Sequence, residues 1–471
     1  MQTQLKSIIR DTRTQIYRTT SILFLVQLFG ALGAGFFFVV QNILGTQHML
    51  GAIEPINERI LWFILFWGTD FFMIALCAVL CYLIAGLPGL APGLALSVYF
   101  AHFSGSAIEG PNTYFSFFAT PLNNGGGVNI GYMGYFVMAL FCALLIKLLY
   151  AGWDGLKQKI AAGLNNLLEK LRGKTEKIPG DLTGMQLIEA VDLIVLVLII
   201  PVASAALTFV LVRYGIQKPF AALAEAITEP LTRLSSQSMI LTGVLFGLMI
   251  GFDIIGPISM AAFAVSAAAF FAGDAQLLTI YGACFVTIGW SPLFFVLLAK
   301  IKKKVDTCAD DMSIASSGPI NAFFENIKLT VNFSMSYAMR SPFAVIPGLM
   351  AGSAVTGLLT ALTGIVNDSY LSTDTPPKYG MGKSMTELLQ RGEVYLSFTL
   401  PLRSGDWLRC RIPLFLIILA GAAVGGLVIY SLRCAQTEKQ KKRGTYVAPA
   451  GDIVLEMRQL AKSRFARSLT D

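Results

Sequence analysis

The sequence predicts an all-α polytopic membrane protein of about 8–10 transmembrane helices, some of them broken or re-entrant. Three observations predict it. Hydrophobic residues make up 55% of the chain and charged residues only 14%, where soluble domains carry about 25% charged. The apolar residues come in runs near bilayer length. The Lys and Arg residues gather in patches beside those runs and are absent from residues 60–146, the pattern expected when basic loops stay on the cytoplasmic side.

The elements follow in order. Residues 1–19 form a basic, cytoplasmic N-terminus carrying Lys6, Arg10, Arg13 and Arg18. Thr20 to Leu44 is as long as a bilayer is thick, so it is a span rather than a cleaved signal. Ile60 to Gly86 is the second span, with Asp70 inside it. Leu87 to Leu96, rich in Pro and Gly, predicts a short or broken helix, followed by a loop with Glu109 and Asn112 that could gate a pathway.

Val128 to Tyr150 spans again. Within 152–180, apolar Leu156, Ile160, Leu164, Leu167, Leu168 and Leu171 recur at helical spacing among lysines, which predicts a basic amphipathic helix on the inner surface. Leu187 to Val212 spans and contains Pro201. Phe220 to Ser235 is amphipathic and should break at Pro230. Met239 to Ala272 is too long for one simple span and is interrupted by Asp253-Ile-Ile-Gly-Pro257. Leu277 to Ala299 ends on Lys300, Lys302, Lys303 and Lys304, an inside anchor. Ile320 to Arg340, Pro342 to Val366 and Ile412 to Leu432 complete the membrane domain, 20–432. Residues 433–471 are a basic cytoplasmic tail.

Several function classes drop out. Seven cysteines include no CxxC pair, and there are only two histidines, so neither a disulfide framework nor a zinc site is expected. Cys77 and Cys81 are i,i+4 packing residues. No GxxxxGK[ST] segment occurs, which argues against ATP-driven pumping, and no cofactor is expected. The net charge of +8 belongs to membrane flanks rather than to nucleic-acid binding.

The candidate site lies where polar residues interrupt apolar runs, because irregular backbone at membrane depth is tolerated only within protein or beside a wet cavity. Asp253 stands between two apolar half-segments, and a carboxylate there needs a partner or a cavity. Gly256 and Pro257 break the helix. The restart at Pro257, near Ser259, should offer free N–H groups to a hydroxylated or anionic solute. The second stretch carries Asn332, Ser334, Ser336 and Arg340, neutral donors and acceptors of the kind a sugar needs when it leaves water. Helix–helix bonding is the alternative use of such groups. Asp70 and Asp192 suit structural partners better than substrate.

Four segments, in order, resemble the membrane subunit (enzyme IIC) of the fructose family of bacterial phosphotransferase systems. Gly86-Leu-Pro-Gly-Leu-Ala-Pro-Gly93 is similar to that family's RPGLAPG. Phe252-Asp-Ile-Ile-Gly-Pro-Ile-Ser-Met-Ala-Ala-Phe263 is similar to FDMGGPVNKAAYAF. Ser341-Pro-Phe-Ala-Val-Ile-Pro-Gly348 with Gly352-Ser-Ala-Val355 is similar to DPLRVIP…GSAVAG. Ile200-Pro201 and Lys218-Pro-Phe-Ala-Ala222 fall in its PxxxxxxxG…PIAA region.

The resemblance implies an enzyme IIC-like, homodimeric, lipid-embedded permease of the inner membrane. It would move a sugar-like solute with separate IIA and IIB phosphocarrier partners and hold no catalytic residue itself. The sequence departs from the family at three places. Asn332 stands where ITEGAIPF has its sugar-contacting Glu, no His lies near Glu393 to Thr399 where the family has PHGG, and PVNKAA reads Pro257-Ile-Ser-Met-Ala-Ala262. A sugar permease is the first expectation. A secondary transporter driven by ions and a membrane-bound regulator on the same fold stay open beside it.

Overall fold

The structure is a computed structural model that describes residues 9–23, 70–100, 131–172, 183–254, 256–323, 327–367 and 407–449. The gate candidates Glu109 and Asn112, and most of the span from Thr20, lie outside those residues. All regular structure described is helical. Helix α1 covers residues 9–23, α2 Asp70–Ala85, α3 Leu87–Val98 and α4 Gly131–Arg172. Helix α5 (Gly184–Ile194) passes through a π-turn into α6 (Ile200–Val210), and a second π-turn leads to α7 (Lys218–Gln237). Then come α8 (Met239–Asp253), α9 (Pro257–Phe271), α10 (Gln276–Lys302), α11 (Ala309–Phe323), α12 (Ile327–Arg340), α13 (Pro342–Thr363) and α14 (Ile412–Arg443).

Among the described residues five helical stretches are long and apolar enough to cross a membrane: 134–171, 184–216, 276–302, 342–363 and 409–443. Shorter apolar helices include α3 and α8. The protein is a multi-pass membrane protein.

Helix α10 is the axis of the larger half. It packs on α8, α9, α11, α12, α13 and α14. Small residues let these helices close in, because lipid supplies no hydrophobic drive to bring them together. Helices α8 and α13 approach so closely that a Cβ on Gly357 would sit 1.9 Å from the Gly243 carbonyl oxygen. Across α13 and α14, a Cβ on Gly421 would sit 2.6 Å from that of Gly352. The smaller half groups α2, α3, α4 and α6. There Cys77 and Cys81 point their thiols at the Tyr135 and Ala139 carbonyls of α4 and act as small packing residues.

Three expectations change. The span from Val128 and the amphipathic stretch after it form one unbroken helix, α4, of 42 residues. At 1.5 Å per residue it is roughly 63 Å long, about twice the hydrocarbon thickness. The amphipathic part therefore continues out of its span instead of starting as a separate surface helix. Lys157 and Trp153 tie it to Asp192 of α5 at 2.5 and 2.6 Å. Helix α7 runs through Pro230, because Ala226 and Pro230 are exposed and the freed carbonyl has room for another partner. Pro201 is absorbed by the π-turn before it. Helix α14 passes residue 432 without a break, and Arg433 and Thr437 are buried, so the fold extends into the basic tail.

Candidate functional site

The interruption at residues 253–257 is a genuine helix break. Helix α8 ends on Asp253, Ile254 takes φ 30°, and Pro257 opens α9. Positive φ at a β-branched residue costs about 1–3 kcal/mol and persists only where its surroundings impose it. Here the Asp253 carboxylate turns back onto the new helix. It accepts from the N–H of Ile258 at 2.6 Å and from that of Ser259 at 2.9 Å. The Ser259 hydroxyl donates to the Gly256 carbonyl at 3.0 Å. All three side chains or backbones are buried.

That geometry corrects the expectation of free amides. Pro257 has no N–H, and the next two are satisfied by Asp253, so a solute would have to compete with an internal carboxylate placed at the positive end of α9. Helix α9 also packs on α10, where the Phe263 and Tyr281 ring centroids are 5.5 Å apart.

The second stretch sits on α12. Ser334 donates to the Ile288 carbonyl of α10 at 2.8 Å, and Ser334 and Ser336 are fully buried. Tyr281 and Ile288 are two turns apart on one face of α10, roughly 10 Å along its axis. The two polar stretches are thus brought to the same helix at different depths. Asn332 is on α12, and its side chain lies outside the described atoms.

Arg340 departs from the expected site. It is eight residues beyond Asn332, roughly 12 Å further along the helix. Its Nη1 pairs with Asp311 of α11 at 2.5 Å, with both side chains under a tenth exposed. Its Nε donates to the Thr20 hydroxyl at 2.7 Å and Nη2 to Ser21 at 3.3 Å, both on α1. The guanidinium stands 5.0 Å over the Tyr17 ring, a cation–π contact. The Tyr337 hydroxyl donates to the Asp311 carbonyl, and the Cys308 N–H donates to the Asp311 carboxylate at 2.7 Å. Burial, then the Asp311 charge, pushes the Cys308 thiol up to about 11. Arg340 is a structural cation, because its Nε, Nη1 and Nη2 all already donate to protein acceptors.

Around it opens a pocket lined by Tyr17, Asp306, Asp311, Tyr337, Arg340 and Arg433, among others. Sequence reasoning missed all of these but Arg340. The signal for Asp311 was present: Asp310-Asp311 follows Lys300, Lys302, Lys303 and Lys304 within eleven residues, at the start of a helix. Thr20 and Tyr17 gave none, since they lie some 320 residues away. No group of three His, Cys, Asp or Glu side chains gathers as a metal site among the described residues.

No protein-family profile matches the chain, and no solved structure matches it significantly. Curated relatives do. The chain is 29% identical over 188 residues to the "PTS system fructose-specific EIIB'BC component" of Xanthomonas campestris, covering 40% of this chain and 30% of that protein. It is 26% identical over 168 residues to "Fructose-like permease IIC component 2" of Escherichia coli K12, covering 36% and 45%. It is 24% identical over 300 residues to the "PTS system fructose-specific EIIC component" of Haloferax volcanii, covering 63% and 67%. The chain spans less than a third of the length of the first relatives it matches. The resemblance carried by the ordered motifs holds: the chain is similar to the membrane component of fructose phosphotransferase systems.

Proposed function

We propose that this protein is the translocation subunit of a phosphotransferase-type sugar permease. The observation that carries the proposal is the break at Asp253 to Pro257. It is irregular, buried backbone set between apolar helices, and transporters build solute sites from such interrupted helices. The solute is a sugar or related polyhydroxylated molecule. Asp253, Gly256, Pro257 and Ser259 form one wall of its site, and Asn332, Ser334 and Ser336 form the other, with α10 behind both. Ser259 and Ser334 hydroxyls, now bonded to carbonyls, are the groups that would exchange an internal acceptor for a sugar hydroxyl.

Phosphate would arrive from separate IIA and IIB carriers, and the chain would act as a homodimer in the inner membrane. Both termini lie inside in this reading, because Lys300 to Lys304 and Arg433 to Arg443 would then face the cytoplasm. Arg340 supports the inner end of the fold without touching the solute. No observation favours the ion-driven or regulatory readings over this one.

The test is uptake of candidate sugars by membrane vesicles, with and without phosphoenolpyruvate and the partner proteins. Accumulation of phosphorylated sugar that needs all components is expected. Uptake that ignores phosphoenolpyruvate but collapses with an ionophore, or no flux of any sugar, would overturn the proposal.

A further inference from the structure

The lining of the pocket beside Arg340 carries two cations, Arg340 and Arg433, and two carboxylates, Asp306 and Asp311, with Lys441 on Asp306 and Arg13 near Arg433 outside the lining. Both carboxylates are committed. Asp311 holds Arg340 at 2.5 Å, and Asp306 takes Lys441 at 3.7 Å and the Tyr446 hydroxyl.

Among the described residues, the other two arginines therefore meet only neutral acceptors. Arg13 donates to the Thr445 carbonyl at 2.7 Å. Arg433, only 8% exposed and lining the pocket, reaches no nearer than 3.4 Å to the Tyr17 hydroxyl. Burial lowers the pKa of Arg13, Tyr17 opposes this, and the like charge of Arg433 lowers it further. Two like-charged guanidinium groups near one another, one of them almost buried in the pocket lining, are costly unless an anion joins them. Their planar forks match the oxygens of phosphate better than a spherical ion.

We infer that this pocket binds a phosphate-type oxyanion, gripped by Arg433 with Arg13 and the Tyr17 hydroxyl. Arg340 takes no direct part, since Asp311 occupies it. The segment 444–449, anchored by Tyr446 on Asp306 and contributing Pro449 to the lining, forms one wall. The same chemistry could be presented by a free phosphate or by an acidic phospholipid headgroup, since basic pockets at membrane borders hold both. The inference does not rest on which solute crosses the membrane.

The experiment uses the full chain. In one arm, delipidated protein in neutral detergent is titrated with inorganic phosphate at constant ionic strength, against chloride, and the melting midpoint is followed. In the other, the protein sits in phosphatidylcholine nanodiscs with or without phosphatidylglycerol. A saturable rise with phosphate identifies the free ion as the source, and a rise only with phosphatidylglycerol identifies the headgroup. Arg433→Gln should weaken the effect about tenfold or more, Arg433→Lys less, and the exposed Arg233→Gln not at all. Should Arg433→Gln fail to fold, Arg13→Gln and Tyr17→Phe should each weaken binding severalfold. No saturable rise in either arm, or Arg433→Gln or both substitute variants binding like wild type, overturns the inference.

Discussion

The break at Asp253 and the cluster at Arg340 are both buried polar islands in an apolar fold, but they are closed by different means. Asp253 is satisfied by amides five and six residues away. Arg340 is satisfied by α11 and by α1, the latter some 320 residues distant. The first is a local turn that could form as soon as its own segment is helical. The second exists only when the beginning, middle and end of the chain have met. A locally closed island can open to a solute without disturbing the rest, whereas a remotely closed one fastens the fold.

The largest expected effect tests the remote closure. Arg340→Met leaves Asp311 buried without its partner and should cost about 3–5 kcal/mol. Thermal unfolding in detergent checks this, and limited proteolysis should find residues 9–23 and 444–449 released. Adding Asp311→Leu should recover most of the loss, since an apolar pair can replace a buried ion pair. A double variant no better than the single one would mean that Arg340 matters through Thr20 and Ser21 instead.

Asp253→Ala should cost about 2–3 kcal/mol by stranding the amides of Ile258 and Ser259. Sugar uptake should vanish while the protease pattern at residues 9–23 stays that of wild type. Release of α1 by this variant would show that the two islands are coupled. Gly357→Ala forces a methyl against the Gly243 carbonyl and should cost about 1–3 kcal/mol, read as a lower melting midpoint.

Tyr446→Phe removes one bond from the segment 444–449 and should cost about 1 kcal/mol, with faster amide exchange confined there. The Tyr446 hydroxyl is raised in pKa by burial first and then by Asp306, so it keeps its proton and goes on donating well above the ordinary tyrosine range. Smallest of all, Glu229→Gln in the exposed pair with Arg233 should shift stability by less than about 0.5 kcal/mol.

Much of the fold was legible in the chain because its causes are local. Run length and charge placement marked the helices. Gly256 and Pro257 marked where α8 must stop and α9 begin, since neither residue continues a helix from its N-terminal side. The amphipathic period after Trp153 was also legible, but not its continuity with the span before it, nor the contact of Lys157 and Trp153 with Asp192 of another helix.

The sequence by itself determined that the protein lives in lipid, that its helices are interrupted near Asp253, and that its motifs run in the order of a fructose permease. Hydropathy, helix-breaking and motif order are properties of neighbouring residues, so no fold is needed to see them. Only the tertiary structure decided that Asp253 accepts from the amides that open the next helix, and that Arg340 leaves the site expected from sequence to pair with Asp311. It also decided that Tyr17 and Arg433 line one pocket. Those outcomes turn on which charges arrive within a few ångströms of one another, and Coulomb and hydrogen-bond energies depend on that distance, not on separation along the chain.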